Sequence, residues 1–217
     1  MPRETQAARA ERVGQVCQIL ARTYPDAHCE LDHRGPFELL VATILSAQCT
    51  DKRVNLVTPA LFRAFPGPAE MAAAPPGRLE ELIQSTGYFR NKAKNLRACS
   101  AALVSAHTGV VPRTMEALTA LEGVGRKTAN VVLGNAFDIN EGVVVDTHVA
   151  RLSHRLGFAA GKHPVAIEQE LMRLVPRDQW TLFSHWLIWH GRRRCGARKP
   201  DCGGCELRAL CPRLGLE

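Results

Sequence analysis

In the stretch Leu121-Glu122-Gly123-Val124-Gly125-Arg126-Lys127-Thr128-Ala129-Asn130, a short helix ends, two glycines bracket one apolar residue and a second helix begins. Glycine permits positive φ and lets another backbone approach closely, and Val124 can anchor the turn in a core. The N–H groups that open the second helix lack intrahelical acceptors and sit at the positive end of its dipole. Gly123, Val124, Gly125 and Arg126 therefore read as a phosphate-binding turn. Such a helix-hairpin-helix grips a DNA backbone without reading its sequence. An ordinary interhelical turn can also carry Gly-x-Gly, and Lys127 separates the two readings. A cation at a helix start costs roughly 0.3–1 kcal/mol, so its place there implies a phosphate contact or a nucleophile. The amine must be neutral to attack carbon, and the helix dipole, Arg126 and partial desolvation all favour the neutral form.

Outward from this turn the chain reads as helix almost throughout. Pro36 to Ala47 carries Phe37, Leu40, Val41, Ile44 and Leu45 at helical spacing, with proline well placed at the start. Further helices are expected over Leu79–Ile83, Asn91–His107, Met115–Leu121, Arg126–Ala136, Thr147–Leu156, Val165–Val175 and Trp180–His190, the last closed by Gly191 as a C-terminal cap. Val143-Val144-Val145 is too short for a strand and reads as an extended connection. The fold class is all-α.

Composition sets the wider bounds. The 217 residues carry a formal charge of +7, with a pI near 9.2, which favours a polyanion partner. No apolar run approaches the roughly 20 residues that cross a bilayer. The polar start Met1-Pro-Arg-Glu-Thr-Gln lacks the apolar core of an export signal. The expected location is cytoplasmic, associated with the nucleoid when on DNA, and the expected form is a monomer with no membrane partner.

Asp146 follows the valine run and precedes a helix, where an aspartate is a preferred N-cap. A second duty is compatible with the first. The helix from Arg126 advances about 16 Å, and the segment from its end to Asp146 can span up to roughly 30 Å, so the chain can return to Lys127. A carboxylate there can stabilise positive charge on a sugar or move a proton, although an ionised Asp146 too close to Lys127 would oppose the neutral amine.

The cysteines divide into two groups. Cys17, Cys29, Cys49 and Cys99 are scattered among apolar neighbours, as small buried hydrophobes often are. Cys195, Cys202, Cys205 and Cys211 follow the pattern Cys-x6-Cys-x2-Cys-x5-Cys. In a reducing compartment four such thiols indicate a metal site before disulfides. Zinc and an iron–sulfur cube both accept four thiolates, and spacing leaves both open. The loop between Cys195 and Cys202, with Lys199 and the nearby run Arg192-Arg193-Arg194, is a candidate phosphate contact.

Taken together, the hairpin from Leu121 to Asn130, the run Val145-Asp146-Thr147-His148, the cysteine tail, Ser46-Ala47-Gln48 and Trp186-Leu187-Ile188-Trp189-His190-Gly191-Arg192 resemble the endonuclease III family of helix-hairpin-helix DNA glycosylases. The resemblance covers nearly the whole chain. It implies two all-α domains with the DNA groove between them: a six-helix barrel over residues 29–139, and a discontinuous domain of residues 1–28 and 140–217 with a 4Fe-4S cluster on the four tail cysteines. It also implies excision of oxidised pyrimidines from duplex DNA, then cleavage of the abasic site by β-elimination. In that chemistry Lys127 forms a Schiff base at C1′ and Asp146 assists. Gln48 matches a residue that fills the gap left by a flipped base. Tyr88 stands where relatives carry a leucine as the second wedge, Thr119 where they often carry glutamate, and Glu122 where they carry proline. An adenine-mismatch glycosylase of the same superfamily shares the cysteine spacing but lacks a lysine at the hairpin. A non-catalytic DNA-binding or redox protein is the rival from another class.

Overall fold

The structure, a computed structural model, describes residues 4–216. All regular elements among these residues are helical: α1 Gln6–Thr23, α2 Pro36–Leu45, α3 Asp51–Ala64, α4 Pro68–Ala72, α5 Arg78–Ile83, α6 Phe89–His107, α7 Met115–Thr119, α8 Arg126–Phe137, α9 Thr147–Arg155, α10 Pro164–Met172 and α11 Trp180–Arg193. None is long and apolar enough to cross a membrane. The chain divides into two compact units, one of Cys29–Ile139 and one of Met1–His28 with Asn140–Glu217.

The Cys29–Ile139 unit forms around α2. Every residue of α2 from Leu39 to Leu45 is buried, as expected of a helix apolar on all sides, and α3, α6 and α8 pack on it. Helix α8 turns Ala129, Val132 and Leu133 inward. Helix α6 does the same with Ala93, Leu96, Cys99 and Leu103, and Lys92 lies buried on that same stripe. The periodicity reading passes over α3 because Pro59 interrupts it; a proline inside a helix removes one backbone hydrogen bond and crowds the turn before it. Thr50 caps the start of α3, and its buried face of Val54, Val57, Leu61 and Phe62 outweighs the break.

In the second unit α1, α9, α10 and α11 share a core with Phe158 and Phe183 at its centre. Val143 to Val145 are buried and lie outside any regular element, and the N–H of Val144 donates to Ser184 Oγ at 3.0 Å. Gly191 is not the cap of α11, which continues to Arg193. A Cβ at Gly191 would lie 2.8 Å from His148 Nδ1 and 3.0 Å from Arg151 Nη2, so glycine is needed there for close packing of α9 on α11. A gap in side-chain volume, with no turn in the backbone, explains the residue.

Candidate active site and DNA interface

The hairpin takes its shape from two local constraints. Leu121 and Val124 are buried in the core of the Cys29–Ile139 unit, and the N–H of Val124 donates to Leu121 O at 3.1 Å. Gly123 has φ +78°, and a Cβ there would meet the Asn95 side chain at 2.8 Å. Conformation and space both demand glycine. Gly125 is the extended N-cap of α8, and no side chain caps that helix. A helix start with no capping side chain at its N-cap can offer its first N–H groups to an anion.

Lys127 sits in the first turn of α8 and is exposed. The partial desolvation expected from its sequence context is therefore not supplied by the free protein, and a bound polynucleotide would have to bring it. Arg126 beside it is exposed as well. Thr119 turns its hydroxyl onto its own helix, donating to Met115 O at 2.8 Å and Glu116 O at 3.2 Å. Glu122 points to solvent.

Gln48 and Tyr88, the two wedge candidates, belong to the same unit and share an unusual backbone. Gln48 has φ +52° and Tyr88 φ +48°, a region that costs an L-residue energy and persists only where surroundings enforce it. Both are exposed, Tyr88 by 65%. Large exposed aromatics on strained loops are poor choices for stability, and such strain clusters at ligand contacts.

In the other unit Asp146 is the N-cap of α9. Its Oδ1 accepts from the N–H groups of His148 and Val149, each at 2.8 Å. Capping is thus a real duty of this residue. Oδ2 accepts no hydrogen bond from the described residues, and the side chain is half-buried, so one oxygen stays available.

Cys195, Cys202, Cys205 and Cys211 line one cavity together with Leu152, Leu156, Leu207, Arg155 and His190, and none of the four forms a disulfide. Burial pushes the Cys205 and Cys211 thiols up, and the nearby Cys195 adds to the shift. Four free thiols around one cavity suit a metal group. The residue types alone do not reveal what shapes this cradle. Buried Arg155 donates from Nη1 to Cys195 Sγ at 3.1 Å and Gly196 O at 2.8 Å, and from Nη2 to Ala197 O at 2.8 Å. Arg151 Nη2 holds Gly191 O and Cys195 O at 3.0 Å each. The only sequence signal for these arginines is their i, i+4 spacing on α9. His190, Cys205 and Glu206 also bring donor atoms within 4.8 Å of one another, but Glu206 is occupied by Arg194 at 2.8 Å. Arg194, in the basic run beside the loop read from sequence as a phosphate contact, is tied to Asp201 as well; a guanidinium between two carboxylates is a strut of the loop. Lys199 remains exposed on that loop.

An all-helical chain with an uncapped glycine hairpin, a lysine on its second helix and four converging thiols defines a helix-hairpin-helix base-excision protein. The comparisons agree. Residues 41–177 match the family model of the HhH-GPD superfamily base excision DNA repair protein. Endonuclease III of Synechocystis sp. (strain ATCC 27184 / PCC 6803 / Kazusa) is 53% identical over 206 residues, covering 95% of this chain and 94% of that protein. A non-covalent endonuclease III–DNA complex superposes with a TM-score of 0.89 at 44% identity, covering 94% of this chain and 95% of the other. A trapped endonuclease III–DNA covalent intermediate gives the same TM-score and identity over 94% and 96%. The chain belongs to the endonuclease III family, whose members are DNA glycosylase/AP lyases of base excision repair.

Proposed function

We propose that this chain removes oxidised pyrimidines from duplex DNA and cleaves the resulting abasic site, with Lys127 as the nucleophile and Asp146 as its assistant. The observation that carries this reading is Lys127 itself: an exposed amine on an uncapped helix start, next to a glycine turn built to receive phosphate. The neutral amine attacks C1′ and the base leaves with the bonding pair and takes up a proton; the nitrogen's lone pair then expels the ring oxygen, which takes the proton the nitrogen gives up, leaving a Schiff base. Removal of a C2′ proton then drives β-elimination, which breaks the C3′–O bond and releases the 3′ phosphate. Oδ2 of Asp146 is free to steady the positive charge on the sugar or to relay a proton, while Oδ1 keeps α9 capped. Gly123, Val124, Gly125 and Arg126 hold a backbone phosphate, and Lys199 contacts another. Gln48 and Tyr88 enter the gap left by the extruded nucleotide.

The four tail thiolates fit a 4Fe-4S cluster, which when bound would supply charge compensation and a covalent tie for the loop that carries Lys199. Arg155, hydrogen-bonded to a ligand sulfur, suits the thiolate set. Borohydride added during reaction with abasic-site duplex tests the nucleophile. The wild type is expected to give a covalent adduct and Lys127→Ala none; no wild-type adduct would end the lyase reading. Equal contents of iron and acid-labile sulfide in the purified protein are expected, and zinc without iron would reject the cluster.

A further inference from the structure

Lys92 lies on the apolar stripe of α6, where helical periodicity calls for a hydrophobe. It is 4% exposed, and no carboxylate is among its partners. Its Nζ donates to two backbone carbonyls, Leu45 O and Thr86 O, each at 2.8 Å. Leu45 is the last residue of α2, and Thr86 the last of the 3-10 turn Gln84–Thr86. Both carbonyls belong to the negative ends of helical segments, which is the environment that compensates a buried cation without an ion pair.

Each carbonyl also precedes a strained residue. Gln48, with φ +52°, comes three residues after Leu45, and Tyr88, with φ +48°, two after Thr86. The N–H of Lys92 in addition donates to Tyr88 O at 3.0 Å. One residue therefore grips the Tyr88 turn from two sides and reaches across to the root of the Gln48 turn. A neutral apolar side chain would leave two buried carbonyls unpartnered and the two turns untied.

The geometry points to Lys92 as a positioning residue that clamps the Gln48 and Tyr88 turns together, so that both side chains enter the DNA stack as one preset unit. This rests on the reading of those two residues as wedges. Lys92 touches no substrate and acts through the turns it holds.

Single-turnover excision from two duplexes tests it. In one the oxidised pyrimidine faces a normal base; in the other it faces an abasic-site analogue, where little partner stacking remains to be overcome. Lys92→Met is expected to slow excision about 100-fold opposite the base, as a misplacement of about 1 Å can, and about tenfold less opposite the analogue. Equal losses on both duplexes, or no loss on either, would overturn the clamp. Should Lys92→Met fail to fold, Lys92→Arg decides by the same ratio. It keeps the charge but replaces the single bridging nitrogen, so a defect larger opposite the base supports the clamp and a uniform one overturns it. Gln48→Ala and Tyr88→Ala separate the two ideas. If both excise at wild-type rates on both duplexes, the wedge reading fails and the clamp with it. If they show the duplex-dependent loss and the Lys92 variants do not, the clamp alone is wrong.

Discussion

Asp146 caps α9 through one oxygen of its carboxylate, and the proposed catalytic duty falls to the other. Oδ1 is committed to the amides of His148 and Val149, so the residue is not free to move as a mobile acid would. Asn keeps an acceptor at the cap position, while Ala removes it. Asp146→Asn is therefore expected to keep its folding stability within the few tenths of a kcal/mol that separate good caps, yet lose base excision. Asp146→Ala should lose excision and also about 1 kcal/mol of stability. Urea unfolding beside an excision assay checks both, and full excision by Asp146→Asn would reduce the residue to a cap. Lys127 shows the opposite economy: it is exposed and makes no structural bond that its loss would cost. Lys127→Ala should fold with wild-type stability, which makes its activity loss clean to interpret.

At the level of elements the hairpin shows that its two glycines are not equivalent. Gly123 holds φ +78° against the Asn95 side chain, whereas a Cβ on Gly125 would meet nothing within 4 Å. Gly123→Ala is expected to cost about 1–3 kcal/mol through backbone strain and the clash, and to weaken duplex binding with it. Gly125→Ala should be nearly neutral for folding, so any loss of DNA affinity there measures crowding of the phosphate alone. Thermal melts and duplex titrations of the pair separate these effects; equal destabilisation by both would remove the distinction.

Across the whole molecule, stability is tied to proton uptake and to the thiol tail. His185 is half-buried on α11, and burial, then the charge of His28, lowers its imidazole from the ordinary 6.5 to about 4. Burial holds His190 near 4 as well. The folded protein keeps both rings neutral while the unfolded chain takes up protons from about pH 6.5 downward. Their stabilisation is complete above 6.5 and is lost progressively toward pH 4. His185→Gln should therefore flatten, without abolishing, the fall in melting temperature over that window; an unchanged slope would remove His185 from the account. With the proposed cluster bound to the four tail thiols, Cys202→Ser is expected to release it and expose residues 195–211 to protease. Hydrogen exchange within Cys29–Ile139 should stay at wild-type levels, because that unit has its own core.

Much of this was legible in the chain itself. Apolar spacing, the glycine hairpin and the thiol pattern depend on near neighbours in sequence, and local sterics and helix periodicity act at that range; hence the all-helical class, Lys127, the cap at Asp146 and the clustered cysteines. Other features come from residues far apart in sequence. Gly191 reads as a cap until α9 is seen packed against it. Arg194 reads as one more positive charge beside the cysteine loop until Asp201 and Glu206 are found on it. Nothing adjacent to Lys92 in sequence shows that Leu45 O and Thr86 O close on its ammonium. The sequence by itself determined the helical class and which side chains are candidates for the chemistry, because periodicity and residue type are local properties. Only the tertiary structure decided which groups hold them in place, because carbonyls and guanidinium partners meet through packing that no local pattern encodes.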